Sequence, residues 1–180
     1  MARVKRETRP ARSRAKTARR ARRTRGGARG ITLLGAGRVP IPASPDAARL
    51  ETFDNLHPAR DYLIEFDCPE FTCVCPITGQ PDFGRIVIRY IASSRCLESK
   101  SLKLYLHAFR NHGAFHEEVV NRVLEDIVRA VNPVEAEVEG RFRPRGGISL
   151  RVVARHPEMR RTPRLLAARA PRDVEPALPL

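Results

Sequence analysis

The chain has 180 residues, 42% of them apolar, and a formal net charge of +14. That length and apolar share fit one compact domain with a real core and exclude a chain too polar to fold. Charge of this size would suggest a nucleic-acid or membrane partner if it covered the fold, but it does not. Residues 1–30 hold 13 Lys or Arg against the single acid Glu7, residues 31–157 hold 16 of each, and residues 158–180 hold five Arg against three acids.

Residues 1–30 are rich in Arg, Ala and Thr and nearly free of large apolar side chains, so they cannot bury enough surface to offset the entropy of ordering. They are expected to form a disordered basic arm. Its Arg25-Gly26-Gly27-Ala28-Arg29-Gly30 segment resembles an RGG-type tract, so any nucleic-acid contact is expected only there. Residues 31–157 are expected to be the folded domain, and residues 158–180 a flexible tail. No apolar run reaches the roughly 18 to 20 residues a bilayer span needs, and the arm lacks the apolar stretch of a secretory signal. A cytoplasmic protein with Cys68, Cys73, Cys75 and Cys96 as free thiols is the expectation.

Leu33-Leu34-Gly35-Ala36-Gly37-Arg38-Val39-Pro40 begins like a dinucleotide fingerprint, but Pro40 stands at the third glycine and no helix can follow directly, so a nicotinamide cofactor would need a non-Rossmann site. Tyr62, Ile64 and Phe66, then Ile86, Ile88 and Tyr90, alternate in the two-residue period of a strand pair. Between them, Cys68 to Phe83 reads as a loop stiffened by Pro69, Pro76 and Pro81. Leu102, Tyr105, Leu106 and Phe109, then Phe115, Val119, Val123 and Ile127, follow helical spacing. The break at Asn111-His112-Gly113 offers a glycine for an αL helix terminus. The two-residue period returns with Val134, Ala136 and Val138 opposite Glu135, Glu137 and Glu139, and again with Ile148, Leu150 and Val152 after Pro144-Arg145-Gly146-Gly147. The order is ββααββ, which predicts an α+β domain, an antiparallel four-stranded sheet with two helices on one face.

In the Pro-stiffened loop, a cysteine needs a lowered pKa to act as a nucleophile, and Asp82 is placed to serve as acid or base. Three cysteines within eight residues, followed by His107, His112 and His116, raise a zinc reading, but they lack the repeated C-x2-4-C spacing of structural zinc, and no metal is expected. At the start of the first helix, Glu98-Ser99-Lys100-Ser101 reads either as a phosphate cradle of free N–H groups, hydroxyl and ammonium or as a helix capped by Ser99. At the start of the second helix Glu117 either complements the helix dipole or accepts the adjacent N–H and NH2 donors of a guanine-like base.

Cys75-Pro76-Ile77-Thr78-Gly79-Gln80-Pro81-Asp82-Phe83, Glu98-Ser99-Lys100-Ser101-Leu102-Lys103, Phe109-Arg110-Asn111-His112-Gly113, His116-Glu117 and Pro144-Arg145-Gly146-Gly147 together resemble the short, single-domain 7-cyano-7-deazaguanine reductases, from about Ile31 to His156. The resemblance implies a tunnelling fold whose subunits join sheets into rings, a homo-oligomer with active sites between neighbours. It implies Cys75 as the nucleophile that forms a covalent thioimide and Asp82 as the proton donor. It places Leu97, Glu98, Ser99, His116 and Glu117 against the deazaguanine, and Ser99, Lys100, Arg145 and Gly146 against NADPH, two of which reduce each nitrile to the aminomethyl product of the queuosine pathway. Three other readings stay open on the residues alone: a zinc-dependent cyclohydrolase-like enzyme of the same fold, an RNA-binding protein acting through its arm, and an architectural ring.

Overall fold

In the computed structural model, the described residues are 31–34, 37 and 39–157. The expectations of a basic arm at 1–30 and a flexible tail at 158–180 lie outside them. The order read from periodicity is the one observed. The sheet runs β2 (Leu63–Val74), β3 (Pro81–Ile91), β5 (Glu135–Arg145) and β6 (Ile148–His156), with neighbours antiparallel in that order. Helices α1 (Ser99–His107) and α2 (His116–Val131) stand between β3 and β5 in the chain. Two three-residue strands, β1 (Thr52–Asp54) and β4 (Arg95–Leu97), pair in a separate ribbon that the sequence reading missed, because three residues are too few to show a period.

The helices cover one face of the sheet. Ile86, Ile88, Tyr90 and Val138 meet Leu102, Tyr105, Phe109, Val119, Val123 and Ile127 there, all buried in one continuous core. At about 25 cal/mol per Å2 of apolar surface removed from water, each such side chain contributes roughly 1.5 to 3 kcal/mol.

The opposite face is charged, and its pairing follows the strand register. Glu65, Arg89, Glu137 and Arg155 stand in one row across all four strands. Arg89 bonds Glu65, Glu137 and Glu139, while Arg141 and Arg151 also reach Glu139. Glu135, Glu137 and Glu139 therefore point away from the apolar core, as the alternation predicts, and yet all three are buried, Glu137 and Glu139 against arginines. Burial alone would raise the Glu139 carboxyl, but the hydrogen bonds from Arg151, Arg141 and Arg89 outweigh it and pull the group down to about 2.

Several local expectations need correction. The segment from Cys68 to Val74 is strand, with a bulge that sets Pro69 and Glu70 against Arg85 between the Cys68–Ile86 and Phe71–Gly84 pairs. A bulge is where a sheet tolerates the N–H that Pro lacks, and Pro81 is tolerated as the first residue of β3. Only Cys75–Gln80 is left as loop. Phe115 is not part of the second apolar stripe: it precedes α2 as its N-cap residue and is 55% exposed. Val134 lies outside β5 and is exposed, and Ile148 is exposed with Leu150 and Val152 half-buried, because β6 is an edge strand. The αL helix terminus is Asn132, with φ 46°, at the end of α2, and not Gly113.

Candidate active site

The loop between β2 and β3 is closed at its base by its own backbone. Cys75 N–H donates to the Gln80 carbonyl at 2.8 Å and Gly79 N–H to the Cys75 carbonyl at 2.9 Å, with Gly79 at φ +68°, a conformation that other side chains resist. A second clamp comes from the turn after α1. Val74 N–H donates to the His112 carbonyl and Ala114 N–H to the Val74 carbonyl, each at 3.2 Å, so residues 112–114 lie alongside the strand. A Cβ on Gly113 would sit 3.2 Å from Pro76 Cα. The glycine in Asn111-His112-Gly113 therefore suits the close approach to the loop rather than a positive φ.

Within this frame the thiols separate by environment. The Thr78 hydroxyl donates to Cys75 sulfur, the backbone N–H groups of Thr78 and Ile77 add two more bonds and Arg145 a smaller one, and together they outweigh the opposing effect of burial and leave the thiol lowered to about 7. Roughly half of it is thiolate at neutral pH. Burial pushes Cys73 up to about 12 and Cys68 up to about 11, with the charges of Asp82 and Asp67 adding in the same direction. Of these three thiols, Cys75 alone is lowered.

Asp82, the second residue of β3, is 5% exposed and paired in register with Cys73. Its Oδ1 lies 2.7 Å from Arg145 Nε and 3.2 Å from His116 Nε2. The histidine contact is not aligned as a hydrogen bond, and His116 Nε2 is a buried atom with no hydrogen-bond partner. The imidazole is fixed by stacking on Phe142, with centroids 3.8 Å apart and an 11° interplanar angle. The Arg145 guanidinium also donates to the Gln80 and Pro81 carbonyls at 3.2 and 3.4 Å, which ties the β5–β6 hairpin to the Cys75–Gln80 loop. Gly146 and Gly147 form that hairpin turn at φ +56° and +81° with open space where a Cβ would stand. Cys75, Asp82, His116 and Arg145, scattered over seventy residues of sequence, thus meet at one end of the sheet. Thr78 and Phe142 join them unforeseen. A Cys-Pro-x-Thr turn was a readable signal for the first, whereas the second depends on strand register.

The other predicted residues form a separate group. Leu97 is buried, with its N–H bonded to the Tyr90 hydroxyl. Glu98, not Ser99, is the N-cap of α1, its carboxylate accepting from Lys100 N–H at 2.8 Å and Ser101 N–H at 2.7 Å. The Ser101 hydroxyl donates to the Glu98 carbonyl, and Lys100 Nζ donates to the Leu33 carbonyl at 2.6 Å. The expected cradle of free N–H groups at this helix start is therefore filled by Glu98 itself, and Ser99 is the exposed member. The same local geometry separates the two glutamates, since Glu117 is exposed and its carboxylate does not cap α2. The eleven residues of β3 span roughly 35 Å at strand rise, with Asp82 at one end and the turn toward β4 and the start of α1 at the other.

A family model described as QueF-like protein matches residues 81–161. A curated relative from Neisseria gonorrhoeae (strain NCCP11945), named NADPH-dependent 7-cyano-7-deazaguanine reductase, is 52% identical over 127 residues, covering 71% of this chain and 81% of its own. The chain belongs to this reductase family. A member with the same name from Streptococcus thermophilus (strain ATCC BAA-491 / LMD-9) is 54% identical over 120 residues, covering 67% of this chain and 74% of its own. A solved structure described as the archaeosine synthase QueF-Like in the apo form aligns at TM-score 0.49 and 27% identity, over 52% of this chain and 91% of that one. Among the described residues, no helix is long and apolar enough to cross a membrane.

Proposed function

We propose that this chain reduces the nitrile of 7-cyano-7-deazaguanine to the aminomethyl group, a four-electron reduction in queuosine biosynthesis, with Cys75 as nucleophile and Asp82 as proton donor. The observation that carries the assignment of roles is the Cys75 thiol, held near neutral pKa by Thr78 and lodged in the same cluster as Asp82, in a chain of this reductase family.

Cys75 thiolate adds to the nitrile carbon, making a C–S bond as one C–N π bond opens, and the nitrogen takes its proton from Asp82 to give a thioimide. NADPH, when bound, supplies hydride twice per nitrile. Breaking the C–S bond after the first reduction returns the electron pair to sulfur and leaves an imine, which the site must keep from water until the second. His116 and Glu117 hold the base: Glu117, exposed at the first turn of α2, accepts the adjacent N–H and NH2 donors of the guanine-like edge. Arg145 suits cofactor phosphate, because its guanidinium is 39% exposed beside a hairpin turn without side chains. Binding there draws Arg145 from Asp82. Ser99, and Lys100 once released from Leu33, complete the cofactor contacts.

Leu97, Glu98, Ser99 and Lys100 belong to the opposite end of the sheet from Cys75, so their place at the same substrate is supplied by a neighbouring subunit in a ring-forming homo-oligomer. Two further observations support this. Strands β2 and β6 are open edges suited to pairing with another copy, and Ile77, Phe83, Phe115 and Ile148 expose apolar surface near the nucleophile loop or its neighbouring elements. A cytoplasmic location accompanies this chemistry, since thiol catalysis needs Cys75 reduced.

The test is cofactor absorbance. NADPH should be oxidised only when the nitrile is present, at about two per product by the electron count of the reaction. Oxidation without nitrile, or none by folded protein, would overturn the proposal.

A further inference from the structure

Behind the nucleophile loop, three side chains of different chemistry point at one another. The Sγ of Cys73, a carboxylate oxygen of Asp82 and a ring nitrogen of His116 all lie within 4.8 Å of one another, with Cys73 and Asp82 buried and His116 half-buried. The zinc reading raised by the linear order held Cys73 and His116 but not Asp82, which joins them through its pairing with Cys73 across β2 and β3.

We propose that Cys73, Asp82 and His116 form an inhibitory site for a zinc-like divalent cation, one that silences the reductase by occupying Asp82. The inhibitory half rests on Asp82 being the proton donor proposed above; the binding half does not.

Thiolate, imidazole and carboxylate together are a donor set that zinc accepts, and three protein ligands leave its fourth position for water. Tetrahedral zinc holds its ligand atoms about 3.3 to 3.8 Å apart; His116 Nε2 and Asp82 Oδ1 are already 3.2 Å apart, and the widest separation needs to close by on the order of 1 Å at most. Register favours that, since Cys73 and Asp82 are direct cross-strand partners. The histidine favours it too. Its Nε2 is buried without a hydrogen-bond partner, an unfavourable state that a cation would relieve. The ring is already oriented by its stack on Phe142. Arg145 opposes binding, because its Nε shares Asp82 Oδ1, and its charge must shift toward Gln80 or solvent when a cation enters. Binding also sends the Cys73 proton to bulk water, for only the thiolate ligates. No electrons move and Cys75 is untouched.

Cobalt(II) titrated into the full-length protein provides a readout independent of turnover. A thiolate-to-cobalt charge-transfer band and tetrahedral ligand-field bands should appear, persist in Cys75→Ala and vanish in both Cys73→Ser and Cys73→Ala. The Cys75→Ala arm needs no change in the core, so the result stands even if a Cys73 variant fails to fold. With zinc, wild-type NADPH oxidation should fall at least tenfold and recover with chelator, while Cys73→Ser keeps its turnover and loses the sensitivity. Absence of the band in wild type, or its loss in Cys75→Ala, overturns the site. A normal cobalt spectrum with zinc-insensitive turnover overturns the inhibition. Should the protein lack reductase activity altogether, the cobalt spectra still decide the site, and only the functional assignment falls.

Discussion

Arg145 Nε stands 2.7 Å from Asp82 Oδ1 while the same guanidinium reaches the Gln80 and Pro81 carbonyls, so one side chain holds both the acid and the end of the nucleophile loop. In the free chain the arginine occupies the group proposed above as the proton donor. Arg145→Ala is therefore expected to do two things. NADPH KM should rise about ten- to a hundredfold, as loss of one charge-assisted phosphate contact predicts. Adduct formation without NADPH should change far less. Steady-state kinetics set beside adduct formation by intact mass separates the two, and an equal loss in both would mean that Arg145 matters mainly for holding the loop.

The Cys75 thiol sits at about 7 because Thr78 and the adjacent N–H groups stabilise its charged form. Alkylation of Cys75 should rise with pH around a midpoint near 7. Thr78→Val removes the largest of the stabilising bonds and should move that midpoint up toward the ordinary thiol value of 9. Peptide mapping after timed alkylation across pH gives the profile; an unchanged midpoint would show that the hydroxyl does not set the nucleophile.

Protein mixed with nitrile and no cofactor should accumulate a thioimide, seen as added mass and new absorbance. Cys75→Ala should abolish it, and Cys68→Ser and Cys96→Ser should not. Asp82→Asn should fold yet fail to form or reduce the adduct, because an amide cannot donate the carboxylic proton. An adduct that maps to Cys73 or survives Cys75→Ala would move the chemistry to another residue.

Glu139 lies under three arginines with its carboxyl lowered to about 2, against an ordinary 4.5. A group whose folded pKa is depressed stabilises the fold above its unfolded value, and that stability is lost as pH falls. Stability should therefore decline between about pH 4.5 and 2. Glu139→Gln should flatten this part of the curve and lower stability at neutral pH, where Arg89, Arg141 and Arg151 lose their shared partner. Denaturant melts across that window measure both effects.

Removal of residues 1–30 should leave reductase turnover nearly intact, since the arm has no core-forming pattern. Thr32 and Leu33 N–H groups donate to the Glu51 carboxylate, and the Leu33 carbonyl receives Lys100. Deletion through residue 34 should destabilise the domain by about 1 to 3 kcal/mol, the scale of stranding a buried charged acceptor. Melting temperatures of the two truncations decide the boundary; equal values would show that residues 31–34 contribute nothing.

The sequence by itself determined the strand and helix order, because periods of two and of three to four persist over stretches long enough to read. It also determined the charge balance of residues 31–157, and its motif blocks carried the family; the roles of Cys75 and Asp82 remain the proposal made above. What it could not determine depends on contacts between distant segments. The extension of β2 through Cys73 needs a bulge that only the facing strand makes possible. Gly113 looked like a helix stop and is instead the surface against which Pro76 lies. Glu98 rather than Ser99 caps α1, because the backbone entering the helix turns that carboxylate onto its own N–H groups. That Asp82 joins Cys73 and His116 follows from strand register and from where α2 starts, which the linear order did not show. Local patterns record which face of an element is buried; only the tertiary structure sets which side chains share the same few ångströms, since that depends on the summed packing of the whole core.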